Sequence, residues 1–591
     1  MKNVILLCTC FLIFISSLWA EDSSKPGVIF KEISTLHCLG VRWTIHGDAN
    51  ENAVVDIYYK VKGSKEWRKG FPLFRTHPNP HSSNQSKIHT IKGGWMFAGS
   101  IVGLVPDTEY EIKLNLNDPD GGKKEELLTL KTWKEPVEPK DIKKIYVMPG
   151  NGGGDGSKGS PFKGLQAALP KAQPGTLFLL HKGVYVKGDC PENTLTLKTS
   201  GIEGKPIVFR ALGDGEVILD GGGSDSTKGR LISAENIKHV WFEDFTIQGR
   251  MYAIVAHGGS NWVIRRCKFI KVNKGFTAHN GGYNDSQHHF ISDNSIKGPT
   301  HWPRKKGIES YCLTYMSGSG HVIAFNKMSN VGDGMHGTGY GNLSASDYYR
   351  NDINVATDDG LETDYGQFNV RVFENRMRNI IHGITAQPSH GGPIYIFRNL
   401  IYNTPLSPFK LNNHTTGVLI FHNTCLRQGD GFRIVPANET VTNIITRNNL
   451  FLGTSSYGLK TTGRMRRCNF DNDGYGGFKS FASWNGQKIK TIVAAKTATY
   501  KNRNKFYNQK GAFLINTATC FESGMLPPKN NKHEYTLKEL NFSLAKKSDA
   551  VDKGVILPGF NDNFHGKAPD LGAIELGQKP LHYGPRKTTD K

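Results

Sequence analysis

Apolar and polar residues alternate with a period of two through most of this chain, the mark of half-buried β-strands. Between residues 28 and 133 the alternation falls into short runs, "LGVRWTI", "AVVDIYYKV", "FAGSIVGL" and "YEIKLNL", each the length of one strand. The segment "KEPVEPKDIKK" at 134–144 interrupts it with two prolines and mixed charge, which marks a domain boundary. Beyond it the pattern predicts a strand, a glycine-rich turn, an amphipathic helix over "SPFKGLQAALPKA" and a further strand.

The middle of the chain repeats. The second residue after each turn glycine, or its equivalent, falls at 255, 277, 336, 362, 385, 410, 433 and 460, at intervals of 22, 59, 26, 23, 25, 23 and 27. The interval of 59 has room for one extra coil, around "YCLTYMSGSGHVIAFN", and an insertion. Such a period predicts a solenoid whose coils of short strands stack ~4.8 Å apart. An asparagine recurring two residues after Phe or its equivalent (Asn375, Asn399, Asn423, Asn448) predicts a buried amide ladder at one turn.

Successive side chains of a strand point to opposite faces. The apolar member of each repeat (Ile254, Phe276, Met335, Leu361, Ile384, Phe409, Phe432, Leu459) is therefore expected inside and its successor outside. The outer column reads Val255, Thr277, His336, Glu362, Thr385, Lys410, Arg433, Lys460. A second column, two residues further along, reads His257, His279, Thr338, Asp364, Gln387, Asn412, Val435. An outer face without a task would mix Lys, Ser and Asn. The gathering of His, Glu, Asp, Gln, Lys and Arg within a few coils instead predicts a site along a groove that accepts a linear polymer. A polar face with no role is the bland alternative.

Several segments resemble known families. "GLVPDTEYEIKL", with Leu104, Pro106, Thr108 and Tyr110 in that family's spacing, resembles the corner of a fibronectin type III domain, with Trp43 as its core aromatic. "IYVMPGNGGGDGSKGSPFKGLQAALPKAQPGTLFLLHKGVYV" resembles the entrance of secreted right-handed parallel β-helix proteins of the pectate-lyase-like superfamily, and "SDAVDKGV" with "APDLGAIELG" their C-terminal closure. The resemblance implies an all-β chain: a signal peptide at 1–20, a fibronectin type III-like β-sandwich at 27–135, and a right-handed parallel β-helix at 143–578.

Asp333-Gly334, Asp358-Asp359-Gly360, His382-Gly383 and Phe409-Lys410 stand in consecutive coils, an order similar to the distant pattern of polygalacturonase-type glycoside hydrolases. Val331-Gly332 and Pro408 depart from it. That resemblance implies carboxyl groups acting as acid and base in hydrolysis, with basic residues holding an acidic sugar. The catalytic candidates are Glu362, Asp364, Asp358, Asp359 and Asp333, oriented or tuned by His336 and His382. The substrate-binding candidates are Lys410, Arg433, Gln387, Asn412, His279 and His257. One of Asp358 and Asp359 is open to a turn-building role, since Asp-Gly favours turns. The competing chemistry is β-elimination by a polysaccharide lyase, with calcium held by Asp358, Asp359, Glu362 and Asp364 and with Lys410 or Arg433 as base. A non-catalytic carbohydrate-binding or adhesive protein is the third reading.

Composition narrows the partner. The 74 basic residues outnumber the 52 acidic ones, a net charge of +22 that attracts polyanions. The start "MKNVILLCTCFLIFISSLWAED" reads as an export signal, so the expected location is secreted or periplasmic, without a membrane span. An exported basic protein points to an acidic or sulfated polysaccharide, and no zinc finger, RNP motif or basic helix supports nucleic acid. Seven cysteines follow the signal, without C-x-x-C spacing; one or two disulfides are conceivable, but an odd count excludes complete internal pairing. Oligomeric state is left open.

Overall fold

The computed structural model describes residues 21–76, 94–185, 195–278, 286–304, 310–314, 316–337, 343–434, 439–454, 457–497 and 511–587. The expected signal segment, His279, Thr338 and Val435 lie outside the described residues.

The four strand runs near the start form Leu39–Gly47, Val54–Val61, Gly94–Ile101 and Glu109–Asn117. They belong to two antiparallel four-stranded sheets, the first also holding Ser24–Lys31 and Phe74–Arg75, the second Arg68–Lys69 and Lys123–Lys131. Their alternating apolar residues, among them Trp43, Ile45, Val55, Ile57, Ile112 and Leu114, fill one buried core. The Tyr110 hydroxyl accepts a hydrogen bond from the Val105 backbone N–H at 2.9 Å, which pins the corner between two strands.

The rest is a parallel β-solenoid, built on one 15-stranded and one 18-stranded sheet that a short parallel sheet around Phe432–Ile434 continues. Register confirms the inner column: Ile254, Phe276, Leu313, Met335, Leu361, Ile384 and Phe409 pair in turn, and all are buried. The extra coil expected in the long interval is present as the strand Tyr311–Thr314, which puts Thr314 between Thr277 and His336. Gly334, Gly360 and Gly383 stack inside neighbouring strands of the sheet. A Cβ on any of them would come within 2.4–2.5 Å of a carbonyl oxygen of the next coil. Close approach of the backbones, not turn geometry, is what requires these glycines.

The amide ladder is longer than expected and shifted at one rung. Asn294, Asn326, Asn351, Asn375, Asn399, Asn423 and Asn449 each donate from Nδ2 to the side-chain oxygen of the next rung, and the run ends on Asp473. Asn448, expected as a rung, takes the left-handed conformation (φ 59°) that precedes one. Its amide instead bonds His422 and the Val555 carbonyl. The expected helix is also cut back: only Leu165–Ala168 is α-helical, followed by the 3-10 turn Leu169–Lys171. Gly164, at φ 88°, and Pro170 bound it, and Leu165 and Ala168 are its buried face.

The C-terminal segment adds the strand Phe513–Leu514 to the end of the 18-stranded sheet and then lies along the flank of the solenoid. Ile515, Phe521, Phe542 and Leu571 pack on Leu400, Leu426 and Leu450. Six cysteines (38, 267, 312, 425, 468 and 520) are free and buried, so the described residues hold no disulfide. Among the described residues no helix is long and apolar enough to cross a membrane.

Candidate active site

The site lies on the outer face of the 18-stranded sheet, where the strands Asp333–His336, Asp352–Glu362, Arg376–Thr385 and Ser407–Lys410 stand side by side. Asp359 pairs with His382 and His382 with Ser407, while Glu362 pairs with Thr385 and Thr385 with Lys410. Asp358 and Asp359 lie inside a strand, at an irregularity in its register, and not in a turn.

His336 sits between two acids, with Nδ1 3.3 Å from Asp333 Oδ2 and 3.0 Å from Glu362 Oε2. Burial works against its charge, but the hydrogen bonds and charges of Asp333 and Glu362 outweigh it and push the imidazole up to about 10. Glu362 Oε2 also accepts the Gly337 backbone N–H at 2.6 Å. Burial opposes the Glu362 charge as well, yet His336, Asp359 and the Gly337 amide hold its pKa below the usual range. Asp333 Oδ1 accepts the Asp359 backbone N–H at 2.8 Å. Burial raises Asp333 to about 6 against the opposing bond from His336.

Burial acts most strongly against the charges of the other two acids. Asp364 Oδ1 accepts from the Thr385 hydroxyl at 2.7 Å and the Gln387 backbone N–H at 2.8 Å, which leaves Oδ2 to carry a proton. Burial, then the Glu362 charge, push Asp364 up to about 8. Asp359 faces two influences of opposite sign. Lys410 Nζ is 3.0 Å from its Oδ2 and favours the carboxylate, but burial and the facing Glu362 carboxyl prevail and raise it well above the usual value. Four buried carboxyls face two cations, His336 and Lys410, so the acids outnumber the charges that can pair with them.

His382 donates to or accepts from Ser407 Oγ at 2.9 Å. Burial first, then Lys410, Arg433 and Arg427, lower it to about 3, so it is neutral at neutral pH. Asp358 is half-buried and groups with Asp359 and His382, while Asp333, His336 and Glu362 form a second group, each with donor atoms within 4.8 Å of one another. The four expected calcium ligands are therefore divided, with Asp364 in neither group. Each group contains an imidazole, and calcium takes oxygen donors; the ammonium of Lys410 already stands at Asp359. The donor set does not suit calcium.

Gln387 and Asn412 are half-buried on the coils of Thr385 and Lys410. His257 is buried and four coils from Glu362, on the order of 20 Å along the axis. It stands apart from the cluster. The sequence reading passed over Tyr311, whose ring stacks on His336 at 4.5 Å, and the part of Thr385 and Ser407 in holding Asp364 and His382. Threading the register through the long interval would have found Tyr311, two residues before Leu313 on the inner column.

No family profile matches the chain. A curated protein of Bacillus subtilis (strain 168), the uncharacterized protein YwoF, is 37% identical over 78 residues, which is 13% of this chain and 15% of that one. Among solved structures the chain is similar to a family 28 exopolygalacturonase of Yersinia enterocolitica, at 11% identity and a TM-score of 0.27 over 78% of this chain and 100% of that one. It is similar to the catalytic unit of a GH87 α-1,3-glucanase from Streptomyces thermodiastaticus strain HF3-3, at 11% identity and a TM-score of 0.42 over 78% and 92%. A mannuronic-acid-specific family 6 polysaccharide lyase from human gut microbiota matches at 13% identity and a TM-score of 0.29 over 57% and 86%. The likeness is one of solenoid architecture, shared with hydrolases and lyases alike.

Proposed function

We propose that this chain is a secreted enzyme that hydrolyses glycosidic bonds in an anionic polysaccharide, uronate-containing or sulfated, lying along the coils at 330–435. The observation that carries the proposal is the pairing on one sheet face of Glu362, held as a carboxylate by His336 and the Gly337 amide, with Asp364, whose carboxyl burial and the Glu362 charge push up to about 8. Hydrolysis needs one carboxyl of each kind. Asp364 gives its Oδ2 proton to the glycosidic oxygen as the bond to the anomeric carbon breaks. Glu362 takes a proton from the water that adds to that carbon. One water is consumed, and the next solvent exchange restores both groups. His336 holds Glu362 and Asp333 in place, Asp359 stands beside them against Lys410, and Lys410 and Arg433 receive the anionic groups. Asp358, half-buried next to His382, contacts the sugar from the same side.

In the same reading the N-terminal sheets are a fibronectin type III-like module, supported by their strand order and the Tyr110 corner. A second reading, β-elimination, is favoured by His382: a neutral imidazole beside Lys410 and Arg433 is placed to take a proton from a uronate whose carboxylate those cations neutralise.

Incubation of the mature protein with acidic and sulfated polysaccharides separates these readings. New reducing ends without the ultraviolet absorbance of unsaturated uronates are expected. Rising absorbance would replace hydrolysis by elimination. Silence in both, with the polymer still bound, would leave a binding protein.

A further inference from the structure

North of the acid cluster the outer face carries a second constellation. Tyr252, Lys274, Tyr311 and Asp333 pair in turn across four consecutive coils, so they form one column that runs into the site. Lys274 stands between the two tyrosines: its Nζ is 4.9 Å from the Tyr252 ring centre, 5.2 Å from that of Tyr311, and 3.3 Å from the Tyr252 hydroxyl. Tyr311 in turn stacks on His336 at an interplanar angle of 23°, so its two faces meet Lys274 and His336. With their faces turned along the axis, the rings do not offer a platform for a sugar. They hold an ammonium group upright, at a cost in side-chain freedom already met before any ligand arrives. Lys274, Tyr252 and Tyr311 are all half-buried, each with part of its surface open to the groove.

We propose that Lys274, clamped by Tyr252 and Tyr311, is a subsite for the acidic group of a sugar on the far side of the scissile bond from Lys410 and Arg433. This rests on the groove reading above and deepens it. Lys274 lies two coils from Asp333, roughly 10 Å along the axis. A pyranose unit of an extended chain advances by about one coil spacing, and Glu362 stands one coil beyond Asp333, so the group Lys274 binds belongs to the third unit from the acid pair. The carboxylate cluster thus has a cation on each side: Lys274 before it, Lys410 and Arg433 after it. A polymer with acidic groups on only one side of the cleaved bond would leave one of these positions unused.

The shared ligand chemistry is an anionic substituent, carboxylate or sulfate. The test compares wild type, Lys274→Met, Lys274→Arg and Tyr311→Phe by calorimetric titration with an oligogalacturonate, a heparin-derived oligosaccharide, and the carboxyl-reduced and desulfated counterparts of each. Glu362→Gln is the parallel background in which the ligand stays intact. Lys274→Met is expected to weaken binding of one acidic probe about tenfold and to leave its neutral counterpart unchanged, while Lys274→Arg and Tyr311→Phe retain most of the affinity. The probe that responds tells carboxylate from sulfate. Equal losses on acidic and neutral probes, no loss on either, or a wild type that binds none of the probes overturns the subsite. Cleavage of a polymer with no selective loss in Lys274→Met defeats the subsite alone. A selective loss in a chain that cleaves nothing keeps the subsite and defeats the hydrolase reading. Matched melting temperatures establish that the variants are folded.

Discussion

His336 determines how the charges of the site are distributed. Its ring nitrogen reaches Asp333 and Glu362 together, and their hydrogen bonds and charges push the imidazole up to about 10 against its burial. Glu362 is thereby held below the usual carboxylate range, and its charge adds to the burial that pushes Asp364 up to about 8. Glu362→Gln breaks this chain while preserving size and the acceptor for the Gly337 amide. Cleavage is expected to fall by about 100-fold or more, read as reducing ends per unit time. A folded Glu362→Gln chain with full activity would remove Glu362 from the chemistry.

Asp364 supplies a second check, because its proton affects stability as well as rate. It holds the proton up to about pH 8, whereas an unfolded aspartate releases it near ~3.9. Between those limits the folded chain binds the additional proton. This group's contribution to stability is therefore complete below the lower value and is lost as pH rises through the higher one. Asp364→Asn keeps Oδ1 as acceptor for Thr385 and Gln387 but does not titrate. Its melting temperature relative to wild type is expected to climb by a few degrees from about pH 5 to about pH 9, while cleavage is lost throughout. A flat difference would mean that Asp364 is already ionised at neutral pH.

Among the elements, the coil is the unit that brings chemistry together. Residues 22 to 27 apart in sequence become neighbours only because each coil repeats the previous one, and the amide ladder is what holds that repetition in register. Asn375→Leu would leave both the backbone N–H and the Nδ2 of Asn351 without their acceptor. The cost is on the order of 3 kcal/mol, measured by denaturant unfolding. Gly360→Ala places a methyl 2.5 Å from the Gly383 carbonyl oxygen, directly between the Asp359 and His382 strands. Activity is expected to fall more steeply than stability there, since separating the two coils by a few tenths of an ångström moves Asp359 from Lys410.

Much of this was legible from the amino-acid pattern. Alternation placed Met335, Leu361 and Ile384 inside and His336, Glu362 and Thr385 outside, because a strand allows only those two directions. What stayed hidden depends on spacing that single residues do not reveal. Asn448 and Asn449 are adjacent asparagines, and only the left-handed turn tells which one enters the ladder. A turn role stood open for one of Asp358 and Asp359 because Asp-Gly usually marks a turn, whereas the glycine here answers to a carbonyl of the next coil. Tyr311 went unseen because an insertion of unknown length broke the count between Thr277 and His336.

For the molecule as a whole, the N-terminal sheets are seated on the solenoid rather than tethered to it. Asp347 and Arg371, both fully buried on the 15-stranded sheet, form an ion pair. Thr35 donates its hydroxyl to Asp347, Arg371 donates to the Ser100 hydroxyl at 3.1 Å, and the Tyr395 hydroxyl accepts the Ser100 backbone N–H at 3.0 Å. Phe71 and Phe74 add apolar contact with Phe421, Phe397 and their neighbours. This contact uses a different sheet from the one that carries Glu362, so the module does not line the acid cluster. The buried network instead implies that module and solenoid unfold together. Wild type is expected to give one calorimetric transition. Arg371→Met leaves Asp347 as a buried charge without its cation, a loss of about 3–5 kcal/mol. It should split the transition into two and expose the linker at 134–142 to proteolysis, while the solenoid still cleaves polymer below its own melting point. If wild type already melts in two steps, the module is an independent appendage and the pair at Asp347 and Arg371 serves only the solenoid.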